Sequence, residues 1–125
     1  MTSETAADPQ AFVRRMYRAF FSPPRYEAKS EDQAVLERGE NYRLPFADGE
    51  LAVTAWGKGG LAVLLMHGWG GSRAQMTGFV DPLLEAGYGV VAYDQPAHGE
   101  SEGRMTNLLE IAPTMNLIAE REGSF

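Results

Sequence analysis

The sequence predicts an α/β fold, with an antiparallel hairpin leading into a parallel strand–helix–strand unit and helices on its flanks. Three stretches carry that expectation. In "NYRLPFADGELAVTAW" two alternating runs meet at Ala47-Asp48-Gly49, and Asp-Gly is a strong tight-turn signal. "LAVLLM" and "YGVVAYD" are apolar without alternation, as strands covered on both faces are. Between them the glycine-led "GWGGSRAQMTGFVDPLLEAG" carries helical spacing. At 125 residues the chain is one domain or part of one.

Along the chain, residues 1–7 are expected to be disordered. Asp8 and Pro9 read as the N-cap and first position of a helix over "PQAFVRRMYRAFF", which Pro23-Pro24 stop. Phe12, Val13, Met16 and Phe20 share one face, and Arg14, Arg15 and Arg18 lie opposite. Such a helix is expected to dock its apolar face on its own domain, with attachment to a membrane surface or a partner as the alternative. Residues 25–40 read as polar linker with a short helix around "EDQAVLER". Tyr42, Leu44 and Phe46 then alternate on the first hairpin strand, and Leu51, Val53 and Ala55 on the second; "GKGG" ends the pattern. In the helix after "LAVLLM", Ser72 and Gln75 have the spacing of a capping box. Met76, Phe79, Val80, Leu83 and Leu84 supply its buried face, and Gly87 its C-terminal stop. The crossover to "YGVVAYD" is expected to be right-handed. In the final helical stretch, "TNLLEIAPTMNLIAEREG", Asn107 and Glu110 suit a cap, and Pro113 predicts a kink or a restart.

Composition narrows the function classes. Seventeen acids against eleven bases give a net charge of -6, and no stripe of Lys or Arg marks a nucleic-acid footprint. With no cysteine there is neither a disulfide framework nor a thiolate metal site. Two histidines, His67 and His98, are too few for a zinc site built on imidazole, so no metal is expected. "MTSETAADPQ" lacks the basic and apolar regions of a signal peptide, and "LAVLLM" is too short to cross a bilayer. A cytoplasmic location is the expectation.

Ligands of open α/β sheets bind beyond the carboxyl ends of the strands, where "HGWGGS" and "DQPAHGES" emerge. Glycines in the first loop let backbone amides face a site, for a phosphate or for an oxyanion. A dinucleotide reading has the glycine-rich turn and the acid Asp94 behind it. Arg73 stands where the third glycine of that fingerprint belongs, however, and Trp69 occupies the turn.

Taken together, His67-Gly68-Trp69-Gly70-Gly71 and Asp94-Gln95-Pro96-Ala97-His98-Gly99-Glu100-Ser101 resemble the two corresponding loops of the α/β-hydrolase family, with Ala97 in place of a usual glycine. The resemblance spans roughly residues 41–122. It implies that the Trp69 backbone N–H, supported by His67, Gly68, Gly70 and Gly71, forms part of an oxyanion hole. His67 would organise its loop, Asp94, His98 and Ser101 would fix the second, and the Trp69 ring would wall an acyl pocket. The implied substrate is a small-molecule ester or acyl compound, turned over through a serine acyl-enzyme without a cofactor. Family members also open epoxides, remove halogens and cleave peptides.

Gly99-Glu100-Ser101-Glu102-Gly103 matches Gly-x-Ser-x-Gly, the pattern of a nucleophilic serine. A nucleophile elbow needs an apolar strand before the serine, and "DQPAHGE" contains a proline. Glu100 and Glu102 would oppose charge on its oxygen, and no His or Asp follows residue 102, against the family order of Ser, then acid, then His. Ser101 is therefore expected to be a decoy, and no catalytic residue is expected in this chain. The reading is of residues 1–40 as amphipathic helix and polar linker, and 41–125 as a partial α/β-hydrolase domain: the N-terminal half of the sheet, truncated before the nucleophile elbow. "LAVLLM" would then leave an open apolar edge, a route to self-association. The competing class is a non-catalytic interaction or dimerisation module.

Overall fold

The computed structural model describes residues 8–57, 60–123 and 125, and the expectation for residues 1–7 lies outside them. The hairpin forms where alternation predicts it, from β1 (Glu40–Phe46) and β2 (Gly49–Trp56), with Tyr42 opposite Val53 and Leu44 opposite Leu51. Its turn sits one residue earlier than the Asp-Gly signal implies. Phe46 pairs with Gly49, so Ala47 and Asp48 are the central residues, and the positive φ of 53° falls on Ala47.

β3 (Ala62–Met66) and β4 (Gly89–Tyr93) run parallel, and β4 inserts between β3 and β2 to give the order β1-β2-β4-β3. The central strand β4 is buried along its whole length, as its unbroken apolar run requires. β3 is the border strand and only Leu65 in it is buried, so the double covering expected from its apolar run is not found among the described residues.

One face of the sheet packs Trp56, Leu65, Val90 and Ala92 against α2 (Ser30–Arg38) and the crossover segment. The other buries Leu51, Val53, Val91 and Tyr93 against Ile118 of α4 (Leu108–Glu122). The crossover opens as a 3-10 helix (Arg73–Phe79) and becomes α-helical only as α3 (Val80–Glu85). Ser72 and Gln75 make the expected reciprocal cap. Thr77, a β-branched residue whose hydroxyl donates to the Ala74 carbonyl, and Gly78 keep the first part from the α form. Val80 is fully buried there, whereas Phe79, expected on the inner face, is exposed: the tighter 3-10 turn rotates it away. Pro113 does not restart α4, which is one continuous helix. The carbonyl it leaves without a donor belongs to Leu109, in the exposed first turn.

Residues 25–40, read as linker, are built into the body. Leu36 is buried, Tyr26, Ala28 and Val35 pack beside it, and the Trp56 indole donates to the Val35 carbonyl at 2.9 Å. The first helix, α1 (Pro9–Phe21), forms as expected, with Asp8 accepting from the Gln10 amide. It does not dock its apolar face. Ala11 is its one buried residue, while Phe12, Val13, Met16, Tyr17 and Phe20 are all more than half exposed. At 3.6 residues per turn Ala11 falls between Arg15 and Arg18, so the small residue on the arginine side makes the contact and the apolar stripe points outward. Among the described residues no helix is long and apolar enough to cross a membrane.

Candidate functional site

Parallel pairing of Met66 with Tyr93 brings β3 and β4 to an end at the same level, so His67 and Asp94 leave the sheet side by side. The two loops they begin are tied by side chains reaching across. His67 Nε2 accepts from the Gln95 amide at 3.0 Å, and the Gln95 side chain returns to the His67 carbonyl at 2.6 Å. His98 Nε2 accepts from the Gly70 amide at 2.9 Å. Because each Nε2 accepts, each Nδ1 carries the proton and donates, His67 to Gly68 O at 2.8 Å and His98 to Pro96 O at 3.0 Å. Both rings are buried and their centroids lie 4.9 Å apart. Burial lowers both pKa values below the ordinary histidine value, which keeps the rings neutral and their hydrogen bonds intact near pH 7.

Asp94 anchors the other end of the first loop. Its fully buried carboxylate accepts from the Arg73 amide at 2.7 Å, from the Glu100 amide at 2.7 Å, and from the Arg73 guanidinium. That guanidinium also donates to Thr54 Oγ1 at 2.9 Å and to Glu100 Oε1 at 2.7 Å. The residue that spoils the dinucleotide fingerprint is thus the partner of the acid, and the carboxylate that would face a ribose is committed inside the protein. Gly99, at φ 50°, is where the second loop passes over Asp94, and a Cβ there would lie 2.3 Å from Oδ2. Ala97, at the family's glycine position, holds φ 65° and is buried.

Ser101 is buried as well. Its Oγ donates to the Asp94 carbonyl and accepts from the Ala52 amide at 2.9 Å, so both functions of the hydroxyl serve the join between the second loop and β2. Its amide donates to His98 O at 2.9 Å.

Within the first loop the amides have different fates. Gly70 N–H goes to His98 and Gly71 N–H to Gly68 O at 3.0 Å, whereas the amides of Gly68 and Trp69 donate to nothing among the described residues. A Cβ built on Gly68 would meet nothing within 4 Å, so the space on that side of Gly68 is open. The Trp69 ring is 50% exposed and stands edge-on to His98 at 5.2 Å. A cleft of about 550 Å³ nearby is lined by Arg25, Ser72, Arg73, Asp94 and Gly99 and does not include Trp69. Among the described residues no three His, Asp or Glu side chains are grouped to hold a metal.

Sequence reasoning missed Arg25. Its guanidinium donates to the carbonyls of Gly99 at 2.8 Å and Ser101 at 2.7 Å, and to that of Gly103, clamping the second loop from outside. Beside it, Pro24 lies against Gly70, where a Cβ would come within 3.2 Å of the proline ring. A basic residue just after Pro-Pro was the available signal, but nothing local indicates partners more than seventy residues away.

A family model for the alpha/beta hydrolase fold matches residues 62–120. The chain is 35% identical over 90 residues to the dihydrolipoyllysine-residue acetyltransferase component of the acetoin cleaving system of Cupriavidus necator, covering 70% of this chain and 24% of that protein. It is 34% identical over 85 residues to a 2-hydroxy-6-oxononadienedioate/2-hydroxy-6-oxononatrienedioate hydrolase of Escherichia coli, covering 66% of this chain and 27% of that protein. Among solved structures, a bromoperoxidase from Bacillus anthracis superposes with a TM-score of 0.60 at 27% identity, over 66% of this chain and 31% of the other. The chain spans about a quarter of the length of these curated relatives.

Proposed function

This chain belongs to the α/β-hydrolase fold superfamily, and on that basis we propose that it supplies the oxyanion-binding part of a serine hydrolase acting on an ester or related acyl bond. The nucleophile, the triad acid and the base histidine of that enzyme lie outside these 125 residues. The observation that carries the reading is the Trp69 amide, which like that of Gly68 has no acceptor among the described residues, next to a Gly68 whose Cβ direction is open, while Gly70 and Gly71 are engaged. In the reaction the nucleophile adds to the acyl carbon and the carbonyl π electrons move onto oxygen. The Trp69 N–H donates to that developing oxyanion, and collapse of the tetrahedral intermediate expels the alcohol. His67 and His98 are positioning residues, holding the loops neutral and rigid, and Ser101 is a structural tie. The Escherichia coli relative is likewise a hydrolase.

The test replaces the Gly68–Trp69 amide by an ester linkage, removing one N–H, in the protein extended by its downstream coding sequence. Loss of one oxyanion donor is expected to lower kcat by about 10²–10³ with KM little changed. An unchanged kcat overturns the proposal. The 125-residue chain itself is expected to give no turnover of a p-nitrophenyl ester; turnover abolished by Ser101→Ala would make Ser101 the nucleophile after all.

A second reading, a non-catalytic self-associating module, has one observation behind it: β3 borders the sheet and offers its unpaired backbone edge. Sedimentation velocity separates the two, because a monomer across the accessible concentration range removes the pairing role.

A further inference from the structure

We propose that α1 is a docking element for an anionic lipid surface. The helix is turned inside out relative to an ordinary surface helix. Its one buried residue, Ala11, lies on its arginine side, and it presents Phe12, Val13, Met16, Tyr17 and Phe20 to solvent, Phe20 at 72% exposure. Its thirteen residues contain three arginines and no acid, in a chain whose net charge is -6. A stripe of aromatic and aliphatic side chains bordered by arginines is the chemistry that enters the headgroup layer, with apolar groups below it and guanidinium groups on the lipid phosphates. Arg14, Arg15 and Arg18 sit on stems long enough to reach around the helix to those phosphates while the apolar stripe is immersed. Charge selects the occupant: anionic phosphates match the helix, while the acidic remainder of the chain is repelled from the same surface and leaves α1 as the point of attachment.

The end of α1 continues into two further exposed apolar positions. The Phe21 carbonyl accepts from the Thr106 amide at 2.9 Å, just before Leu108 and Leu109, which are 75% and 87% exposed. Pro24 rests against Gly70, next to the half-exposed Trp69. A lipid surface on α1 therefore lies at the end of the sheet where the two loops emerge. The binding claim stands independently of the hydrolase reading.

The experiment is co-sedimentation of the full chain with vesicles of phosphatidylcholine alone and of phosphatidylcholine mixed with phosphatidylglycerol. Binding is expected to the anionic vesicles only, and to weaken as salt is added. Phe20→Ser is expected to reduce partitioning roughly tenfold, the loss of one large apolar side chain. Arg15→Gln combined with Arg18→Gln is expected to abolish the preference for anionic lipid. Because these side chains are exposed, the variants keep their fold, which a thermal melt checks directly. No binding, equal binding to both vesicles, or binding unaffected by Phe20→Ser overturns the proposal. So does a dimer dissolved by Phe20→Ser, which would make a second copy the cover of this face.

Discussion

Replacing Asp94 by alanine is expected to cost at least about 2 kcal/mol more stability than replacing Arg73 by methionine, although the two side chains form one buried ion pair. Breaking such a pair from either side costs about 3–5 kcal/mol, because a charge is left uncompensated in the interior. The remaining partners differ. Arg73→Met leaves the carboxylate with two backbone donors and frees Glu100, whose side chain is 70% exposed, to return to water. Asp94→Ala leaves the amides of Arg73 and Glu100 without acceptors as well. The first is buried and stands near the upper end of the roughly 1–3 kcal/mol cost of an unmade hydrogen bond; the second is partly buried and stands near the lower end. Asp94→Asn, which keeps one acceptor oxygen, falls between them. The double variant costs less than the sum of the singles, with a coupling of about 1–3 kcal/mol. Urea titrations followed by circular dichroism read these differences from the midpoints at constant slope. If Arg73→Met proves as costly as Asp94→Ala, the carboxylate is a counter-ion rather than the anchor of two loops, and the account of the site fails at its base.

Three further outcomes follow from single features. Because burial lowers the pKa values of His67 and His98, the unfolded chain binds more protons than the folded one below about pH 6.5; stability is therefore full above that pH and falls as pH drops toward the folded-state values. A urea midpoint that is flat or rises on acidification from pH 7.5 to pH 5.5 contradicts this. Gly99→Ala, which drives a Cβ into the Asp94 carboxylate at a positive φ, is expected to cost about 3 kcal/mol or more, while Gly68→Ala, facing open space, leaves the thermal midpoint nearly unchanged. Ala47→Gly relieves a left-handed residue at an exposed turn and, after the entropy of glycine is deducted, is expected to stabilise by about 0.5–1 kcal/mol in the same melts.

How much of this was legible in the sequence follows from what each signal reports. Unbroken apolar runs report strands, though only β4 proves covered along its length, and the glycine-histidine loops that follow them are local in sequence, so the places of β3, β4 and both loops were legible. The join between those loops was not, because Arg73 looked only like a departure from a glycine pattern. Its role appears when the parallel register sets it beside Asp94, twenty-one residues away. In segment 25–40 the short helix around "EDQAVLER" was legible, but its packing was missed for the same reason: Arg25 and Val35 make their hydrogen bonds to residues that a local reading does not bring near. The first helix shows a different limit. Periodicity established that Phe12, Val13, Met16 and Phe20 share a face, but not what that face meets. A stripe that would be buried on its own domain and one offered to another surface have the same spacing. Here the one buried residue is Ala11, which lies among the arginines, while the equally small Ala19 is exposed. Spacing is the same whichever side is buried, and the apolar stripe is left for whatever the protein touches.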